Sequence, residues 1–460
     1  MNAEKKNKEI LLIKNGRIID PSQKIDARLN LLIEDGRIRL FTQDEFEAGE
    51  VIDASGKVVC PGFIDLHAHE DPVENGVLYH DEDANLACLL RMGVTTCLCG
   101  NCGDNFCDPS AFLEMFRDGG CFVNTAMLAG YTYFREKHSA AGRYSPVTRK
   151  EKDAICEALS EALYRGCAGI SFGLEYVPGI SREELLSAAE LCAPSGKLIA
   201  AHLRECAEGA VSAVCEILEL ARCTGVSAQI SHIGSMAGYG QMESLLKKID
   251  EYRADGLSVG SDCYPYTAFS TKIGSAPYDD LAAIHCRYED IELCEGIYKG
   301  KRCTKQLFEE ERNNHPETLT VGHVMKEEEI RMAFRHPNVT VGSDAFLSRG
   351  NGHPRAAGAF PRFLSRYAPA CGLNLYEAIE RITLLPAKKL GLSTKGTLKS
   401  GSDADLVIID PERLTDRATF EAPTLPPDGI SMVLIGGQPA VKDGKIIDGT
   451  LGRALCIRQG

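Results

Sequence analysis

The sequence predicts an α/β chain. Its middle reads as a (β/α)8 barrel of the TIM-like kind, and both termini together read as a small β-sandwich domain. Three observations carry that expectation. From about Cys60 to Gly391, strand-like and helix-like segments alternate. The two ends are instead rich in short apolar runs separated by Asn-Gly, Asp-Pro and Asp-Gly turns. The alternative for the middle is a doubly wound open sheet, but no glycine-rich dinucleotide loop follows its first strand.

The expected divisions are residues 1–59 and 393–460 for the two parts of the β-sandwich and 60–392 for the barrel. Near the N-terminus, ILLIKNGRIID and LNLLIEDGRIRL are hairpin-like. At the far end, DADLVIIDP and GISMVLIGGQPAVKDGKIID repeat the style. Strand candidates of the middle are FIDLH, VTTCLCG, NTAML, AGISFG, LIAAH, SAQISH, LSVGSDCYP, LTVGH and VTVGSD. Helices fall between several of them. In GAVSAVCEILELARCTG, Val211, Val214, Ile217, Leu218 and Ala221 recur at helical spacing. The stretch 276–316 breaks the rhythm: it is charged, carries Cys286, Cys294 and Cys303, and lacks strand periodicity. It reads as an insertion able to fold over the barrel mouth.

Composition excludes some partners. At 460 residues and 44% hydrophobic content, the chain can bury a large core. A net charge of −14 argues against nucleic acid or an anionic membrane. With no Trp and 7% aromatics, a stacking platform for single strands is not expected. The start, MNAEKKNKEI, lacks the apolar core of a signal peptide, and no run nears the ~18 apolar residues of a membrane span, so a cytoplasmic location is expected. The 19 cysteines are scattered through apolar segments and read mostly as reduced core residues. A homo-oligomer and a monomer are equally compatible with the sequence.

The chemistry centres on CPGFIDLHAHE, residues 60–70. Alternate residues of a strand share a face, so His67 and His69 point the same way at a strand end and can both reach one metal ion. Other ligand-type residues also fall at strand ends: Cys102, Glu175, His202, His232 and Asp344. In a barrel, those ends form the active face. Imidazole, thiolate and carboxylate are a zinc ligand set, and donors dispersed over separate strands fit a catalytic centre better than a structural zinc ribbon. Asp344 is the candidate for proton transfer, because a carboxylate beside metal-activated water can take its proton and pass it on.

HAH after an apolar strand, two later single histidines and a terminal Ser-Asp together resemble the amidohydrolase superfamily. Within it, GVTTCLCGNCG, GISFGLEYVPG, SDCYPYTAFST and GSDAFLSRGNGHPRAAGAFPRFL resemble the D-aminoacylase (N-acyl-D-amino-acid deacylase) family, and GTLKSGSDADLVIIDP resembles the return of such chains to their β domain. The resemblance implies a zinc-dependent hydrolase of N-acyl-D-amino acids. Cys102, His202 and His232 would hold one tight zinc; His67, His69 and Asp344 would surround a second, weaker position. Many relatives bridge two metals with a lysine after the fourth strand. GISFGLEY has none, which leaves Cys102 or Glu175 for that role, with Glu175 equally readable as a structural acid. Arg355 would grip a free substrate carboxylate, with Tyr266 and Ser270 lining the same pocket. Family members often place a lysine shortly after the second single histidine; here Gly234 stands there, and Arg349 is a candidate replacement. His323 has no assigned role. The alternatives are a cyclic-amide hydrolase of the dihydroorotase or hydantoinase type and, more remotely, a non-catalytic scaffold on the same barrel.

Overall fold

The computed structural model describes residues 10–43, 46 and 48–457. Eight parallel strands form the barrel: Phe63–Asp65, Val94–Cys99, Asn124–Gly130, Gly169–Gly173, Leu198–His202, Ser227–Ile230, Val259–Cys263 and Val339–Val341. Each pairs with the next in chain order, so they are barrel strands one to eight. In six of the eight every residue is buried, as parallel strands covered on both faces require. The helices lie outside, and three begin with a reciprocal capping box: Thr148 with Glu151, Ser181 with Glu184, and Asn374 with Glu377. The helical spacing read in residues 209–225 appears as helix Ala210–Thr224, which buries Val214, Ile217, Leu218 and Ala221.

The ring closes at its mouth. The Asp344 N–H donates to the His67 carbonyl at 2.7 Å, and the His69 N–H donates to the Ala345 carbonyl at 3.2 Å. Just below, the buried Asp65 carboxylate accepts the N–H of His67 at 2.9 Å and of Ser343 at 3.1 Å. Strand one is thereby tied to strand eight through the backbone of the residues expected to carry chemistry.

Two expectations need correction. LTVGH is not a barrel strand. Leu319–Gly322 is the centre of a three-stranded antiparallel sheet with Phe269–Lys272 and Ile291–Leu293. The chain leaves strand seven and meets this segment locally, and Leu319 and Val321 bury against Ala268 and Cys294 in a small cluster of their own. The stretch 276–316 is also not without strands, since it supplies Ile291–Leu293 and the helix Lys305–Asn314. It does overlie the mouth, where Pro277 and Ile284 line the site cavity.

A nine-stranded sheet joins the two ends of the chain. Its junction is Val58–Pro61 running antiparallel to Leu406–Ile409. Alternation sorts its side chains: Val59, Leu406, Ile408 and Leu434 form the sheet's own core, whereas Cys60, Val407, Ile409 and Val433 pack toward the barrel. Asp405 secures the contact. Its carboxylate pairs with Lys395 at 2.5 Å and accepts from the Asn124 amide at 3.0 Å and the Gly436 N–H at 2.8 Å. Asn124 opens barrel strand three, so this buried cluster couples sheet to barrel. Replacing Asp405 with Ala leaves the buried Lys395 ammonium with Asp403 alone, at 3.3 Å, and takes the acceptor from the Asn124 amide and the Gly436 N–H. The expected cost is about 3 kcal/mol or more, read as a lower urea midpoint with unchanged slope.

Candidate metal centre

The mouth of the barrel brings five strand ends together. His67 and His69 follow strand one, Cys102 follows strand two, His202 ends strand five, His232 follows strand six and Asp344 follows strand eight. The Cys102 turn is held from strand one by Glu70, which is buried. Its carboxylate accepts the N–H of Gly100 at 3.0 Å and of Phe106 at 2.9 Å. The Asn101 amide crosses between the first two strands, donating to the carbonyls of Ala68 and Leu98 at 3.2 and 2.8 Å. Cys102, His232 and Asp344 all have left-handed backbone, with φ of 55°, 30° and 49°. Non-glycine residues hold that conformation only where their surroundings over-determine it. Here the His232 N–H donates to Asp262 at 2.7 Å and the Asp344 N–H to the His67 carbonyl.

Donor atoms converge on Cys102. Its Sγ lies 3.4 Å from His67 Nε2, 3.5 Å from His232 Nε2 and 3.8 Å from His202 Nδ1. Tetrahedral zinc with ordinary Zn–S and Zn–N bonds separates sulfur and nitrogen ligands by about 3.6 Å. The residues thus fit the ion. Two overlapping groups have ligand spacing: Cys102, His202 and His232, and His67, His69, Cys102 and Asp344. Cys102 is common to both, which places its sulfur where a bridging ligand would sit.

Each of three histidines has its second nitrogen against a polar group, hydrogen-bonded for His232 and His202 and within ion-pair distance for His67. His67 Nδ1 is 3.2 Å from the Asp262 carboxylate, His232 Nδ1 is 2.9 Å from the Ser235 hydroxyl, and His202 Nε2 is 2.8 Å from Glu175. Such contacts fix the ring and choose the nitrogen offered to a metal. The groups of the cluster balance one another's charges. Burial opposes the Cys102 thiolate, but the charge of His67 and contacts from His202, His232 and His67 hold the thiol well below its usual range. Burial likewise opposes the His69 and His202 imidazoliums, yet hydrogen bonds to Asp344 and Cys102 for the first, and to Cys102 and Glu175 for the second, raise both to about 9. For Asp344, burial is outweighed by Arg355, His67, His69 and His232, so its carboxyl stays ionised far below neutrality.

Arg355 lies beside this cluster, 2% exposed, with Nη2 2.8 Å from Asp344 Oδ2 and its guanidinium over the Tyr264 ring at 4.5 Å. Its Nε and Nη1 have no hydrogen-bond partner among the described residues, nor do the buried Tyr264 Oη and Ser270 Oγ. Ser270 therefore lines the cavity together with Arg355.

Tyr266 does not. Its hydroxyl points to the Pro354 carbonyl at 3.4 Å and its ring lies under Arg362 at 4.6 Å, so it supports the helix Arg355–Arg362 from behind. Tyr264, two residues earlier, faces the cavity instead. Glu175, a candidate ligand, belongs to neither ligand-spaced group and acts on the far nitrogen of His202. Arg349 does not stand in for a lysine at Gly234: it is exposed, in the turn between Leu347–Ser348 and Asn351–Gly352, and lines neither cavity at the mouth. A side chain at 234 would have to push aside its neighbours, since a Cβ there would come within 2.9 Å of Cys263 Sγ and 2.8 Å of Ile330 Cδ1. His323 sits 3.3 Å from Glu292 and against the Phe420 ring, at the end of a strand outside the barrel. Sequence reasoning missed Glu70, Asn101, Ser235 and Asp262. For Asp262 a signal existed, because Val-Gly-Ser-Asp occurs at both 259–262 and 341–344.

Comparison with known proteins agrees with this geometry. The model of the Amidohydrolase family matches residues 309–441. An N-acyl-D-glutamate deacylase of Alcaligenes xylosoxydans xylosoxydans is 30% identical, over 95% of this chain and 96% of that protein. A D-aminoacylase of the same organism is 29% identical, over 97% of each. The crystal structure of an N-acyl-D-glutamate deacylase from Bordetella bronchiseptica, complexed with zinc and a phosphonate mimic of the tetrahedral intermediate, superposes with a TM-score of 0.86. It is 30% identical and covers 97% of this chain and 99% of that one. On this full-length similarity, the chain belongs to the amidohydrolases, in the family of the N-acyl-D-amino-acid deacylases and D-aminoacylases.

Proposed function

We propose that this chain is a zinc-dependent amidohydrolase that cleaves N-acyl-D-amino acids to a carboxylate and a free D-amino acid. One observation carries the reading. A buried guanidinium with two unpaired donors lies directly against the Asp344 carboxylate, at the edge of a thiolate–imidazole cluster with zinc spacing. Preference for the D configuration rests on family membership. Against a cyclic-amide hydrolase stands the end of strand four, where Leu174 and Glu175 leave no lysine to bridge two metals.

Cys102, His202 and His232 would hold the tighter zinc, and His67, His69 and Asp344 would surround a weaker second position. Bound there, zinc lowers the pKa of water toward about 7 and polarises a carbonyl oxygen. The remaining work falls to the chain's own groups. Arg355 meets the substrate carboxylate with its unpaired N–H donors, and Ser270 Oγ and Tyr264 Oη add donors. That anchoring holds the amide against Asp344, the proximity term of the rate. Asp344, ionised at neutral pH, accepts the proton of the attacking water and delivers it to the amide nitrogen as the C–N bond breaks. Arg355 keeps Asp344 charged for the first transfer, and His69, 3.3 Å away, keeps it in place.

Three outcomes test this. In zinc-loaded protein, Asp344→Asn lowers kcat for N-acetyl-D-amino acids by about 1,000-fold, because no other carboxylate occupies that position. Arg355→Lys retains a cation beside Asp344 but loses the fork, so KM rises by about tenfold or more with a smaller effect on kcat. Cys102→Ser, dialysed and assayed by metal analysis, drops from about one zinc per chain to a small fraction, while wild type retains it. Amine release from cyclic amides alone would overturn the linear-amide reading.

A further inference from the structure

Two of the groups placed around a substrate carboxylate come from different loops. Arg355 follows barrel strand eight, and Ser270 follows strand seven, within the antiparallel strand Phe269–Lys272. Both keep buried polar atoms without a hydrogen-bond partner among the described residues, so neither side chain fixes the other. Their spacing has to come from whatever joins the two loops behind them.

His353 joins them. It is 1% exposed, and each of its ring nitrogens has a backbone partner. Nδ1 accepts the Arg355 N–H at 3.0 Å, and Nε2 donates to the carbonyl of Ala268, two residues before Ser270, also at 3.0 Å. A carbonyl only accepts and an amide N–H only donates, so the ring is the neutral Nε2–H tautomer. Burial, then the charge of Arg355 and that of His323, hold the imidazole well below its usual range and keep it in that form. Edge contacts with the Tyr266 and Phe420 rings, at 5.0 and 5.1 Å between centroids, fix its plane.

The choice of histidine has a physical reason. The helix Arg355–Arg362 starts here, and Pro354 at its cap offers no side-chain acceptor. Without His353 the Arg355 N–H would be left unpaired at the start of that helix. Aspartate, a usual acceptor at such a position, could take that N–H but has nothing to donate to Ala268. Farther from the site the same loops are joined again. Arg362 Nε donates to the Pro265 carbonyl at 2.9 Å, and Tyr266 Oη to the Pro354 carbonyl at 3.4 Å. Those bonds hold the loops together, and His353 is the link nearest the substrate.

Resting on the reading of Arg355 and Ser270 as the grip on a substrate carboxylate, we infer that His353 is a positioning residue for substrate binding, its ring setting the distance between the two arms of that grip. Its two hydrogen bonds reach no metal ligand, so its loss acts on KM and leaves the metal centre alone.

The test is steady-state kinetics of zinc-loaded, full-length protein on N-acetyl-D-methionine and N-acetyl-D-glutamate. His353→Ala should raise KM by about tenfold or more, with kcat within about threefold of wild type. His353→Asn and His353→Gln, each able to keep one of the two bonds, should fall between wild type and His353→Ala. Acetohydroxamate binds zinc but carries no α-carboxylate, so its inhibition constant should be the same in all four proteins, as should the zinc content. An unchanged KM in His353→Ala, or an acetohydroxamate constant that moves as far as KM, would overturn the inference. Should His353→Ala fail to fold, the Asn and Gln variants decide, and wild-type KM in both would overturn it. Arg355→Lys is assayed alongside. A raised KM there with none in the His353 variants removes the inference and leaves the deacylase reading standing. No rise in any variant, or no turnover of either substrate by wild type, removes the grip itself and the inference with it.

Discussion

The meeting of barrel strands one and eight governs this molecule. The other neighbouring strands pair along their length, but these two close through a pair of backbone hydrogen bonds at the mouth, from the Asp344 N–H to the His67 carbonyl and from the His69 N–H to the Ala345 carbonyl. Closure and assembly of the site are therefore one event. The bonds that complete the barrel also bring the two histidines of the first strand against the carboxylate of the last. Asp65 reinforces the seam from below, accepting one N–H from each side. An open sheet with the same strands would leave Asp344 on the far edge from His67.

The second constraint is charge. Arg355, Asp344, His67 and Asp262 form a buried chain of alternating sign, with successive contacts of 2.8, 3.5 and 3.2 Å. Burying any one of these groups alone would cost several kcal/mol, and each is tolerable because its neighbours compensate it. The same pairing prepares function, since it leaves Asp344 ionised and the Cys102 sulfur anionic at neutral pH. The left-handed backbone at Cys102, His232 and Asp344 adds local strain at the same place, held by bonds from Asp262 and from the seam. Stability is spent at the mouth and recovered in the apolar strands and the junction around Asp405.

The insertion shows how little composition says about placement. Its charge and cysteines marked it as different, but its strand Ile291–Leu293 pairs with Leu319–Gly322, which pairs on its other edge with Phe269–Lys272, the segments that flank the insertion in the chain. Antiparallel neighbours met locally win over a distant parallel partner when the barrel already has eight strands. The result also shapes the site cavity beside Arg355, because Pro277 and Ile284 come from this segment and complete a wall begun by Met236 and Tyr239 on the barrel loop after His232.

The sequence by itself determined the alternation that makes a barrel, the joining of both ends in one sheet, and the strand-end positions of His67, His69, Cys102, His202, His232 and Asp344. Those follow from period-two and helical patterning and from chain order, which are local properties. It did not determine which nitrogen each histidine offers, because that depends on Asp262, Ser235 and Glu175 reaching across from other segments. It did not separate Tyr264 from Tyr266, since the two are alike in type and near neighbours; only the packing of Arg362 and Pro354 turns one of them away. Nor did it show that Cys102 belongs to two ligand groups at once, a fact created when five strand ends meet in space. Local chemistry supplied the donors; tertiary contact decided their orientation, their charge and their company.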